Sequence, residues 1–167
     1  MRFTLVSLLL LAVAVSAQTP RPFPAPRIVG QAVGGHLHFD PATKFTTDTV
    51  TLTFNDNGGA PAATVEFVVR YATDRPRQTP DVVDMIVTEV SAGDDQPHVG
   101  MQADGQAVPL VGRLRTRRSI VASMAFDDFI RLTNADLIVQ QAFGTELQFG
   151  RGQVSMLRSS AAKWSGR

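Results

Sequence analysis

Three histidines carry the spacing most suggestive of chemistry. His36-x-His38-x-Asp40 sets two imidazoles two residues apart, which on an extended chain puts both on one face. A pair of that kind can chelate zinc or another transition metal, with His98 as third ligand and a carboxylate behind the imidazoles. Such a centre would make the chain a small metal-dependent hydrolase. The competing reading is ordinary surface or core-edge histidines, because H-x-H occurs widely without metal and His98 is remote in the chain. The second constellation is cationic. Arg113, Arg115 and Arg117 alternate with Arg118 opposite, so a strand there would offer guanidinium forks to sulfate, phosphate or acidic polysaccharide. The same alternation describes a charged edge strand that resists pairing with another sheet.

Other chemistries fit poorly. There is no cysteine, which removes thiol nucleophiles, cysteine zinc sites and disulfides. No G-x-S-x-G elbow is present, and Ser91, Ser119, Ser123 and Ser155 have no evident histidine partner. Asp94-Asp95 and Asp127-Asp128 are adjacent pairs, whereas glycosidase carboxylates face one another across about 5 Å or more. Gly34-Gly35 and Gly58-Gly59 lack the lysine and following helix of a phosphate loop. One Trp and one Tyr are too few for a stacking platform. No catalytic constellation and no cofactor are therefore expected.

The chain begins with Met1-Arg2 and an apolar run over residues 3–17 that ends Val15-Ser16-Ala17. Charge, apolar core and small residues predict a signal peptide over 1–17 with cleavage before Gln18. The run is shorter than the roughly 20 residues a spanning helix needs, so no transmembrane span is expected after cleavage. Residues 18–27 hold four prolines in ten, a polyproline-like flexible linker. Residues 28–167 then form one globular domain. Cleavage would carry off Arg2 and leave a net charge of zero, which speaks against nucleic acid as a partner. The charge divides unevenly, −5 over residues 18–112 and +5 over 113–167, as in two halves that pack together or a chain that self-associates.

The elements that must position these groups are strands. Over residues 28–40 a short apolar start, a Gly-Gly turn and an alternating segment are expected. Val50, Leu52 and Phe54 share one face against Thr49, Thr51 and Thr53; Val65, Phe67, Val69 and Tyr71 repeat the pattern. Residues 81–91 are apolar on both faces, as in a central strand. Residues 98–114 suggest a hairpin about Asp104-Gly105, with Pro109 marking the return arm as an edge. Ile120, Ala122, Met124 and Phe126 face inward on a last long strand. Asp127 is placed to N-cap a helix ending near Asn134, with Asp128 in its first turn. Two short strands, 137–142 and 146–149, turn at Gly144. Val154, Leu157, Ala161 and Trp164 then form the stripe of an amphipathic helix whose start, at Gly152-Gln153, lacks the usual acids.

Asp128, Phe129, Leu132, Asn134, Ala135, Gly144, Thr145, Glu146, Leu147, Phe149, Leu157, Arg158 and Ala161 together resemble the DF-L-NA…GTE-x-F…LR-x-x-A signature of an uncharacterised family of exported bacterial proteins. Residues 39–52 resemble the opening strand of such proteins. The resemblance implies a fold and an exported location, and no activity. The expected fold is α+β and predominantly antiparallel, a sandwich-like or strongly curved sheet carrying a short helix, a hairpin and a C-terminal amphipathic helix. The expected function is a secreted or periplasmic, non-enzymatic module that binds a protein or an envelope surface. The alternatives are the hydrolase of His36, His38 and His98, and anion or glycan binding through Arg113, Arg115, Arg117 and Arg118.

Overall fold

The computed structural model describes residues 28–56, 58–72, 78–89, 99–116 and 118–166; for residues 28–34, 36 and 113–115 it describes the backbone only. The expected leader and linker, His98 and Arg117 lie outside the described residues. The chain runs β1 (Ile28–Asp40), β2 (Phe45–Asn55), β3 (Pro61–Ala72), β4 (Val82–Glu89), β5 (Val99–Ala103), β6 (Gln106–Ala107), β7 (Val111–Thr116), β8 (Ser119–Ala125), α1 (Phe126–Asn134), β9 (Ile138–Ala142), β10 (Thr145–Gln148) and α2 (Arg151–Trp164). It is the β-rich α+β fold that the residue pattern predicts.

The strands join in the order β6-β5-β9-β10-β1-β2-β3-β4-β8-β7. Every pairing is antiparallel except β1 with β10, where only Ile28–Leu147 and Val29–Gln148 are in register. That narrow seam divides the sheet into a six-stranded and a four-stranded half. The order alone shows that the sheet is rolled. Its terminal strands, β6 and β7, are separated by only residues 108–110, a link reaching at most about 14 Å between the flanking Cα atoms. A flat ten-stranded sheet would hold its edges about 43 Å apart. Two contacts agree with closure. The Val108 N–H still donates to the Met101 carbonyl at 2.9 Å, while a Cβ on Gly112 would stand 3.5 Å from Val99 Cγ1.

The interior of the roll is filled by the faces that alternation predicts. Val50, Leu52, Phe54, Val65, Phe67, Val69, Val83, Met85 and Val87 are buried, as are Ile120, Ala122, Met124 and Phe126. α1 packs against β4 and β8 on one half and β5 on the other, and α2 lies on α1, β1 and β2. Phe129 at the centre meets Phe67 and Trp164, with ring centroids 5.4 and 5.3 Å apart, and Phe54 meets Phe149 edge-on at 5.2 Å. Such pairs add about 0.5–1.5 kcal/mol each beyond area burial. The predicted α2 stripe of Val154, Leu157, Ala161 and Trp164 is buried throughout.

Four local expectations are corrected. Gly34-Gly35 is no turn: β1 runs through it with a register shift between Val33 and Gly35, and a Cβ at Gly35 would stand 3.0 Å from the Thr49 carbonyl oxygen. Close approach of β2 therefore favours glycine there. Asp127 is not the N-cap of α1. The helix starts at Phe126, whose N–H is taken by the Asp81 carbonyl at 2.9 Å, so Asp127 and Asp128 act from the first turn on the helix dipole. The arm after Asp104-Gly105 pairs back on β5 only as far as Val108; past Pro109 it crosses to β8. At the start of α2, the missing acid is replaced by Gln153, whose Oε1 accepts the Gly150 N–H at 2.8 Å.

Candidate functional site

Inward positions on β2 have even numbers, and Asp48 is in phase with Val50, Leu52 and Phe54. It is a carboxylate on the core face, only 4 % exposed. Burying a carboxylate is costly unless hydrogen bonds compensate, and the C-terminus of α2 supplies them. Trp164 Nε1–H donates to Asp48 Oδ2 at 2.9 Å, and Lys163 Nζ stands 2.6 Å from the same oxygen. Tyr71 sits diagonally across, since Val69 is the β3 partner of Asp48 and Tyr71 that of Thr46. Burial, and secondarily the negative charge of Asp48, push its phenol up to about 12 from 10.0.

Beyond this polar plug the β1–β2 hairpin continues past the helices. Leu37 is the β1 partner of Asp48 and Phe39 that of Thr46, so both share the inward face. Nothing among the described residues covers them: they are 68 % and 50 % exposed, and Phe45 at the turn is 43 % exposed. The turn is well fixed. Asp40 Oδ2 accepts the Thr43 hydroxyl at 2.8 Å and Oδ1 the Ala42 N–H at 2.9 Å, and these two bonds hold its carboxyl below the usual range.

The histidine constellation lies on this same hairpin. His36 and His38 pair with Thr49 and Thr47; His38 is exposed, the side chain of His36 is not described, and His98 is outside the described residues. No group of three His, Asp or Glu side chains suited to a metal occurs among the described residues. β7 carries Arg113 and Arg115 at one end of the strand order, and its register with β8 skips Arg115 between Leu114 and Thr116. The period of two therefore does not run unbroken from 113 to 117. Arg118 is exposed in the turn before β8.

Two further features were not legible in the sequence. A cleft of about 330 Å³ lies between the β5–β6 turn and α1, lined by Asp104, Val108, Asp128, Arg131 and Leu132 among others. Its charged groups are engaged: Asp128 pairs with Arg131 one helical turn on, and Asp104 Oδ1 accepts the N–H groups of Asp136 and Leu137 at 3.0 and 2.9 Å. On β9, Gln140 is fully buried with neither amide atom hydrogen-bonded among the described residues. Ser123, from the serines considered for hydrolysis, donates instead to Asp84 at 2.7 Å, and Asp84 pairs with Arg70 at 3.2 Å.

Comparison with protein-family models, with curated proteins and with solved structures finds no match. No helix among the described residues is long and apolar enough to cross a membrane.

Proposed function

We propose that the protein is an exported, non-enzymatic interaction module of the secreted or periplasmic kind, and that the projecting β1–β2 hairpin is its contact surface. The observation that carries this reading is the exposure of Leu37 and Phe39 side by side on one face of the hairpin, with Phe45 exposed on its other face at the turn. Scattered exposed apolar residues are ordinary, but several on one projecting element mark an interaction site. The apolar run before Ala17 supports export, and the resemblance to exported bacterial proteins agrees with it.

The test uses the full chain expressed from Met1 and its native envelope fraction. Wild type immobilised on a support is expected to retain envelope protein that Leu37→Ser/Phe39→Ser, checked for fold by circular dichroism, does not. Equal retention by both overturns the reading. So does stoichiometric zinc in the purified protein that disappears in His36→Ala/His38→Ala, which would instead favour the metal centre. Salt-sensitive binding to heparin that is lost in Arg115→Ala/Arg117→Ala would favour the arginine strand.

A further inference from the structure

Both sides of β1 are not equally used. Along one side it pairs with β2 from Val29 to Asp40; along the other, among the described residues, only Ile28 and Val29 are paired, with β10. Among the described residues, the strand beyond Val29 thus has an unpaired edge. Natural edges are blunted with lysine, arginine, proline or a bulge. β7 has arginines at 113 and 115, whereas residues 30–40 contain no Lys, Arg or Pro. Besides α2, which packs on β1, the device on the strand itself is the irregularity between Val33 and Gly35, and it leaves the segment from Gly35 to Asp40 regular.

We propose that this edge pairs with the same edge of a second copy of the chain, antiparallel about a two-fold axis at His38. The proposal rests on reading the hairpin as the contact surface, and names its partner. Three observations favour a second copy over a foreign strand. First, the segment is self-complementary in this register: Leu37 of each copy stands opposite Phe39 of the other, an apolar pair on one face. Second, the backbone has the right phase. The Asp40 carbonyl faces β2, where it takes the Lys44 N–H at 2.9 Å. By alternation Leu37 and Phe39 then turn their N–H and C=O groups to the open side, so each exchanges hydrogen bonds with the other across the axis. Third, an isologous pairing closes on itself: each copy uses this edge once, so the paired edge does not propagate to a third copy. The exposed Leu37 and Phe39 sit within the paired segment.

The absence of cysteine from the chain makes the register directly testable. At the axis, residue 38 would face its own copy as a non-hydrogen-bonded pair about 4.5 Å apart between Cα atoms, within disulfide range. Residue 36 would lie about 14 Å from its own copy, four residues along. In the full chain, His38→Cys is expected to form a covalent dimer under mild oxidation and His36→Cys is not. Sedimentation of the wild type is expected to show a monomer–dimer equilibrium whose dissociation constant rises at least about tenfold in Leu37→Lys. Because Leu37 is exposed, that variant keeps the monomer fold, which circular dichroism checks. Equal cross-linking of both cysteine variants, or none together with a purely monomeric wild type at about 100 μM, overturns the pairing. If envelope retention still depends on Leu37 and Phe39 in that monomer, the edge serves a foreign strand and the contact surface itself stands.

Discussion

Replacing Asp48 by alanine tests whether the buried plug at the mouth of the roll holds α2 in place. Asp48 Oδ2 is the acceptor for the Trp164 indole, a side chain 2 % exposed, and the pairing partner of Lys163. Without the carboxylate, the indole N–H is left buried and unsatisfied, at about 1–3 kcal/mol. The Lys163 side chain is 63 % exposed, so its ion pair is screened and adds no more than about 1 kcal/mol. The expected loss for Asp48→Ala is therefore about 1–4 kcal/mol. Asp48→Asn retains an acceptor for the indole and loses only the charge, so its expected loss is about 1 kcal/mol. Trp164 is the only tryptophan, and its fluorescence during urea unfolding reports from the site itself. Both variants should lower the midpoint without changing the slope. Repeating the series in 1 M salt should shrink the asparagine effect, since screening weakens the pair with Lys163. An alanine variant within about 0.5 kcal/mol of wild type would refute the argument, as would an asparagine variant as unstable as the alanine one.

Tyr71 is the only tyrosine, so its phenolate absorbance can be titrated directly: the folded protein should ionise near pH 12 and the urea-unfolded chain near 10. Because the folded state holds this proton more tightly, its contribution to stability is complete below pH 10 and is lost as pH rises from 10 towards 12. Tyr71→Phe should remove that component, and a folded midpoint at 10 would contradict the burial. Arg158 donates to the Thr133 and Ala135 carbonyls at 2.6 and 3.3 Å, tying α2 to the end of α1. Arg158→Ala should cost about 1–3 kcal/mol and Arg158→Lys recover only part, read as urea midpoints. Gln140→Leu removes a buried amide without hydrogen bonds among the described residues and should be neutral or stabilising by about 1–2 kcal/mol in thermal denaturation; a loss above 1 kcal/mol would mean the amide has partners such as buried water.

Much of the fold was legible because strand alternation and helix stripes are local. The inward residues of β2, β3 and β8 and the face of α2 follow from side-chain periods of 2 and 3.6, and the Phe143-Gly144 turn, with φ of 51° and 73°, follows from the glycine. Local rules failed where a distant strand decided the outcome. Gly34-Gly35 reads as a turn until β2 is laid beside it, and Asp127 reads as a cap until the Asp81 carbonyl claims the Phe126 N–H. The hairpin after Val99 looks complete until β8 competes for its return arm.

The candidate surface divides along the same line. The sequence by itself determined that residues 36–40 alternate on a strand, and that Asp48 is in phase with an apolar face, a signal that was present and passed over. Only the tertiary structure decided that Asp48 would be sealed by Trp164, 116 residues away, and that Leu37 and Phe39, on the same face, would be left uncovered by the described residues. The physical reason is that a period assigns a residue to a face, whereas burial depends on what packs against that face. Here the sheet rolls up, α2 ends at Asp48, and β1 and β2, with β3 still paired beside them, run on beyond it.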